Sequence, residues 1–395
     1  MTVPGNHTLT PPPDALEQAP SAPQQGRVRE AWERLSENRL ALAGLAVFVV
    51  FFVVAVAGLL LTSGTDPVLD PAQIRLQEKL RPPLSAPHAE ALDPEEAPDL
   101  GVFLMGTDDL GRDVFARMLQ GAWVSLTVGF VAVGISVLIG IFMGGVAGYF
   151  GDRRLRRDQV AAAILVLGGG GLLASGLVAA GWTLMGTGLV YLILIAPQVG
   201  RRLLAKRRHP GGAPGLLLGN AVSMDTVIMR FVDIMLCFPS FFLILTVVAL
   251  LPASIYNIMI VIGLTSWMGA ARFVRAEFLS LRELDFVTAA RALGVSDWRI
   301  IFRHMIPNAI APVLVSATIG IATAILTEAG LSFLGFGVPP PHATWGNILS
   351  DGKRFIFDAP WLTFIPGTAI LIVVLSFNLF GEGLRDVLNP KLRER

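Results

Sequence analysis

DFVTAARALGVSDWRIIFRHMIPN, residues 285–308, decides how this chain is read. It holds six ionisable side chains, two clusters of small residues and a near-terminal proline, between flanks that carry almost no charge. Asp285 to Leu293 is built from good helix formers, Gly294 can take the left-handed conformation that ends a helix, and Ser296 can cap the next one. Asp297 falls in the first turn of that second helix and Arg303 and His304 in its last, each sign matched to the helix dipole. Pro307 ends the loop as the next apolar segment begins. The pattern predicts two short helices joined by a bend, with a low-relief surface at Ala289, Ala290 and Ala292, rigidly continuous with the segments on either side. Such a surface suits the docking of a partner.

The flanks are membrane spans. Of 395 residues 53% are apolar and only 15% charged, against about a quarter charged in soluble domains. A net charge of +1 gives no support to nucleic-acid binding. The first 26 residues are rich in Pro, Gln and Ala and predict a disordered tail rather than a signal peptide. Leu40 to Leu61 is 22 residues without a charge, enough to cross a hydrocarbon core of about 30 Å. A second charge-free run follows Arg117 and lasts to Gly151. Residues 234–271 would make one helix of about 57 Å, so LPAS at Leu251 to Ser254 reads as a turn between two spans. Ala309 to Leu326 and Ala359 to Phe380 bring the count to six.

One block remains, Gln159 to Gly200, 42 uncharged residues between DRRLRRD and RRLLAKRRH. A single helix would measure about 63 Å, which predicts a two-span hairpin folding back through GWTLMGTG at Gly181 to Gly188. With eight spans and the N-terminus in the cytoplasm, 24 of the 31 Lys and Arg fall inside. A single crossing would invert every later segment and turn the opening stretch outward.

Several residues invite sharper readings. Gly140, Gly144 and Gly148 give one helix face a smooth surface, read first as ordinary packing, with a dimer seam as the alternative. Arg230 and Asp233 stand i, i+3 and read as an interfacial anchor. Glu328, at the outer end of the fifth span, is a candidate pathway or outer-gate residue, with helix termination as the plain alternative. His304 has no second ligand at metal spacing, and the single cysteine, Cys237, excludes an intrachain disulfide. A phosphate-binding G-x-x-x-x-G-K-[ST] loop does not occur, so ATP hydrolysis by this polypeptide is not expected.

AARALG followed by HMIPN is similar to the EAA loop of bacterial ABC-importer permeases, which runs E-A-A, three residues, Gly, nine residues, I-x-L-P. Ala289, Ala290, Gly294 and Pro307 match in register. Ile306 stands for the Leu, while Thr288 replaces the Glu and His304 the Ile. GTDDLGRDVFARMLQGAWVSL at 106–126 and EAGLSFLGFGVPPPHATWGNIL at 328–349 resemble the C-type permease of the dipeptide/oligopeptide/nickel family. That resemblance implies an all-α polytopic membrane protein with a type I importer transmembrane domain: six core spans, here with an inserted hairpin that the family pattern lacks. It divides the chain into a cytoplasmic tail (1–38), a first span with an external segment (39–105) and the permease domain (106–390). The permease domain contains the insertion (152–224) and a cytoplasmic coupling loop (276–307).

The implied role is to move di- or oligopeptides across the bacterial plasma membrane, with both termini cytoplasmic. Nickel or another small solute is the alternative within the class, and a secondary transporter outside it. A secondary transporter would more often show broken helices with midplane carboxylates, and none is evident in the six spans. The implied partners are a second permease in a heterodimer, two cytoplasmic ATPases, an external solute-binding protein and membrane lipid. This chain would bind no cofactor, ATP and Mg residing in the ATPases. The coupling-loop residues carried over are Thr288, Ala289, Ala290, Gly294, Ser296, Asp297, Arg303, His304 and Pro307.

Overall fold

Helix α1 (Arg39–Thr62) begins at Asn38, whose side chain accepts from the backbone N–H groups of Leu40 and Ala41. In the computed structural model the described residues are 35–36, 38–64, 67–88, 101–151, 154–156, 183, 185, 187, 189 and 220–388. Helix α2 (Val114–Tyr149) is capped by Asp113 and runs for 36 residues, well past the charge-free stretch at its outer end. Then come strands β1 (Arg154–Arg156) and β2 (Asn220–Ser223), helices α3 (Met224–Cys237), α4 (Ser240–Leu250) and α5 (Ile255–Leu281), and short helices α6 (Asp285–Ala292) and α7 (Asp297–Ile300). Helices α8 (Ile306–Phe333), α9 (Trp345–Gly352) and α10 (Trp361–Leu388) complete the order. Among the described residues five helices are long and apolar enough to cross a membrane, and α3 with α4 forms a sixth unit bent by 81°.

That bend corrects two expectations. The third span is not one helix, and the core is not free of broken helices. Pro239 lacks the N–H that would continue the ladder and forces Phe238 out of the helical region, to φ −82° and ψ 132°. The turn at Leu251 to Ser254 does separate α4 from α5. Asp233 on α3 pairs with Arg272 of α5 at 2.6 Å, and Arg230 stands 3.9 Å away. The anchor expected within one helix is thus mainly a bond between two.

Helices α2 and α5 make the tightest pairing. A Cβ added to Gly140 would lie 2.5 Å from that of Ala270, and one added to Gly148 would lie 2.6 Å from that of Phe278. The glycine face is filled by this chain's own α5, which leaves it no room as a dimer seam. Around the pair a large apolar cluster includes Phe51, Val128, Ile262, Ile325 and Phe377. A second, at the inner end, gathers Tyr149, Phe278, Val287, Ile300 and Met305. Inner here means the end that carries the opening stretch and the arginine-rich segments.

The expected hairpin at 159–200 lies almost wholly outside the described residues. Thr183, Met185, Thr187 and Leu189 are helical, and the Thr187 hydroxyl donates to the Thr183 carbonyl at 2.9 Å. At Thr183, Met185 and Thr187 the segment is therefore helix and not the turn expected at 181–188. The feet of the insertion meet: β1 and β2 pair antiparallel, Arg154 opposite Ser223 and Leu155 opposite Val222. Asp225, just beyond β2, is clamped by two nitrogens of the Arg275 guanidinium on α5, Nη2 at 2.6 Å.

Candidate coupling surface

Helix α6 has Asp285 in its first turn and Arg291 in its last, complementing the dipole. Val287 and Ala290 face inward and are buried; Thr288, Ala289, Ala292 and Leu293 face out. Ala290 therefore belongs to the protein's own core and not to the low-relief outer surface, because one face of an amphipathic turn must cover the apolar cluster behind it. Gly294 has φ +73°. Its N–H donates to the Arg291 carbonyl at 3.0 Å and that of Val295 to the Ala290 carbonyl at 3.1 Å, the bond pattern of a left-handed helix stop. Nothing lies within 4 Å of a Cβ built there, so the demand for glycine is conformational rather than steric.

The second half of the loop departs from expectation. Ser296 occupies the N-cap position but its side chain makes no cap hydrogen bond. Helix α7 does not end at Arg303 and His304. Ile301–Met305 widens into a π turn, in which the Ile306 N–H donates to the Ile301 carbonyl, and the helix continues into α8 without interruption. The wider turn accommodates Pro307, which thus lies inside a 37-residue helical run from Asp297 to Phe333 rather than at a boundary. Asn308 Nδ2 donates to the His304 carbonyl at 2.6 Å beside it.

Three large apolar side chains stand out on this surface: Leu293 is 83% exposed, Phe302 60% and Trp298 53%. The Trp298 and Phe302 rings stack at 6.0 Å, and Phe150 meets Trp298 edge-on at 6.1 Å. Neither aromatic was singled out by sequence, although their i, i+4 spacing in a polar loop is a legible signal. Tyr149, at the end of α2, was missed as well. Its hydroxyl donates to Asp297 Oδ1 at 2.8 Å and accepts from Arg291 Nε at 3.4 Å, and the guanidinium sits 4.7 Å from the ring centre.

At the other end, the two remaining sequence motifs come together. Asp108, Arg112, Arg117 and Asp351 form one ion cluster, with Arg117 Nη2 2.9 Å and Arg112 Nη2 3.2 Å from Asp351. Gln120 accepts from the Ala343 N–H, and Trp345 Nε1 donates to the Met118 carbonyl at 3.0 Å, its ring over Gly121. Glu328 is fully buried one layer deeper, accepting from Ser332 at 2.7 Å and Ser125 at 3.3 Å. The helix carrying it runs on to Phe333, so Glu328 does not terminate it. It joins α2 to α8 inside the bundle and faces no open surface of this chain.

Residues 212–394 match the family described as binding-protein-dependent transport system inner membrane component, and residues 26–83 match the N-terminal TM domain of oligopeptide transport permease C. Over 365 residues, 92% of this chain and 90% of the relative, the sequence is 35% identical to the dipeptide transport system permease protein DppC of Alkalihalophilus pseudofirmus. The chain belongs to the dipeptide/oligopeptide/nickel C-type permease family of ABC importers. The oligopeptide transport system permease protein OppC of Bacillus subtilis is 29% identical over 366 residues, covering 93% of this chain and 90% of that one. A putative peptide transport system permease protein of Brucella suis is 36% identical over 290 residues, 73% and 74% of the two chains. As a C-type permease the chain is a multi-pass membrane subunit whose part in transport is the passage itself, and the secondary-transporter alternative falls away despite the broken α3–α4 unit.

Proposed function

We propose that this permease imports di- or oligopeptides across the bacterial plasma membrane, paired with a second permease and driven by two cytoplasmic ATPases that bind ATP and Mg. An external binding protein delivers the solute. The peptide reading is supported by the relatives, which are dipeptide and oligopeptide transport permeases, and the partner set by the family's architecture. Residues 276–307 act as the coupling loop, on the cytoplasmic side together with both termini. The observation that carries this is the bent helix pair itself. It presents Leu293, Trp298 and Phe302 to solvent while continuing into two membrane helices, so a protein docked there is joined to the bundle without a flexible linker.

Residues 152–224 form an insertion peripheral to the passage. Side-by-side pairing of β1 and β2 supports both feet lying at one membrane face, which requires an even number of crossings between them. The experiment is reconstitution of the four-subunit complex in vesicles with its binding protein. ATP-dependent uptake of a peptide, lost when the ATPases are omitted, is expected. Uptake driven by an ion gradient without ATP would overturn the reading.

A further inference from the structure

Helices α5 and α8 are joined to the coupling loop by the chain. Helix α2 is not. It reaches the bend of the loop across 148 residues of sequence, through the Tyr149 phenol. We propose that Tyr149 is a positioning residue for coupling, tying α2 to the loop so that a displacement of α6 and α7 by a docked ATPase moves α2 together with α5 and α8. This rests on the coupling-loop reading given above.

The geometry of the phenol makes the case. Its two partners stand on opposite sides of the bend, Arg291 on α6 before Gly294 and Asp297 on α7 after it. One oxygen therefore holds the angle between the two helices at the point where a left-handed glycine with open space around it would otherwise let that angle change. The hydroxyl donates to a carboxylate and sits against a guanidinium, so both contacts are charge-assisted and stronger than a neutral pair. Tyr149 is 7% exposed, which keeps water from replacing either partner. Arg282 Nη1 also reaches α2, at 3.5 Å to the Gly148 carbonyl, but from the C-cap of α5 ahead of α6, so it fixes nothing about the bend at Gly294.

Helix α2 also has something to transmit to. Its outer end carries Arg117, Gln120 and the Met118 carbonyl that hold α9, the short outer helix, through Asp351, Ala343 and Trp345. Helix α8 packs on α9 directly, Ala329 and Ser332 lying against Gly346, and a loop that also moves α2 grips α9 from its other side.

The test is Tyr149→Phe in the reconstituted complex, with radiolabelled dialanine as the probe and uptake divided by ATP hydrolysed as the readout. Phenylalanine keeps the ring, its packing and the cation contact with Arg291 while removing the oxygen. Expected are an unchanged ratio of ATPase to permease in the purified complex and a fall of about tenfold in dialanine imported per ATP. Asp297→Asn, which keeps an acceptor for the phenol, should stay within about twofold of wild type, and Asp297→Ala should fall like Tyr149→Phe. An unchanged yield of dialanine imported per ATP in Tyr149→Phe, or in Asp297→Ala, overturns the proposal. So does loss of the ATPase from the Tyr149→Phe complex, which would make the phenol part of the dock itself. A wild-type chain that never retains the ATPases would instead overturn the coupling-loop reading.

Discussion

Arg117 and Asp351 meet at 2.9 Å across 234 residues of sequence, the one from the first turn of α2 and the other from the last turn of α9. Arg117 is 4% exposed at its side chain and also pairs with Asp108, which is fully buried, whereas Asp351 keeps 34% of its side chain in solvent. Removing the arginine strips a buried carboxylate of one of its two cations; removing the aspartate leaves the arginine its other partner. Arg117→Ala is expected to lower stability by about 2–3 kcal/mol, Asp108 keeping Arg112, and Asp351→Asn by roughly 1 kcal/mol. Thermal unfolding of the detergent-purified complex measures both, and equal losses would contradict this account.

At Gly294 the backbone demands a positive φ with space to spare. Valine costs about 1–2 kcal/mol in that conformation, whereas asparagine tolerates it. Gly294→Val should reduce ATPase retention and uptake together while the chain still inserts, and Gly294→Asn should keep both. Pull-down of the ATPases followed by an uptake assay reads the difference. Two variants with the same behaviour would remove the conformational argument.

Trp298 and Phe302 project from the loop, while Ala290 points into it. Trp298→Ala should weaken ATPase binding about tenfold or more, as loss of an aromatic anchor does, without affecting the yield of folded permease. Ala290→Trp should do the reverse and act on folding first, because it overfills the cluster around Tyr149, Val287 and Ile300. Titration of the ATPase onto nanodisc-held permease, beside size-exclusion profiles of each variant, separates the two effects.

Replacing residues 157–219 by Asn-Gly should leave a β-hairpin of β1 and β2, since that dipeptide closes two antiparallel strands. Insertion, ATPase retention and some ATP-driven uptake are expected to survive. A shortened chain that fails to accumulate in the membrane would mean that the removed segment belongs to the core.

Much of this architecture is written locally. The charge-free runs locate α1 and α2, LPAS locates the turn before α5, and Gly294 locates the bend, because each depends only on neighbours in sequence. What escaped was of three kinds. Pro239 and Pro307 are the same residue with opposite outcomes. The first breaks a span because Phe238 is pushed into an extended conformation, while the second is absorbed by a π turn that nothing in IFRHMIP announces. The partnerships of Tyr149 with Arg291 and Asp297, and of Arg117 with Asp351, need the fold before they exist. Ala290 failed for a third reason: a run of small residues on a helix of two turns gives too few positions to tell which face is turned inward.

Helix α2 is about 54 Å long at 1.5 Å per residue, with the Tyr149 phenol at one tip and the Arg117 cluster at the other. Its glycine face is closely packed against α5 along the inner half, which joins the two helices there as one unit. Pivoted at its inner tip, a lever of that length turns a tilt of about 5° into a sweep of about 5 Å at its outer tip. In the proposed complex, a tilt imposed at the coupling loop would thus be read at the opposite face of the membrane as a displacement as wide as a peptide backbone.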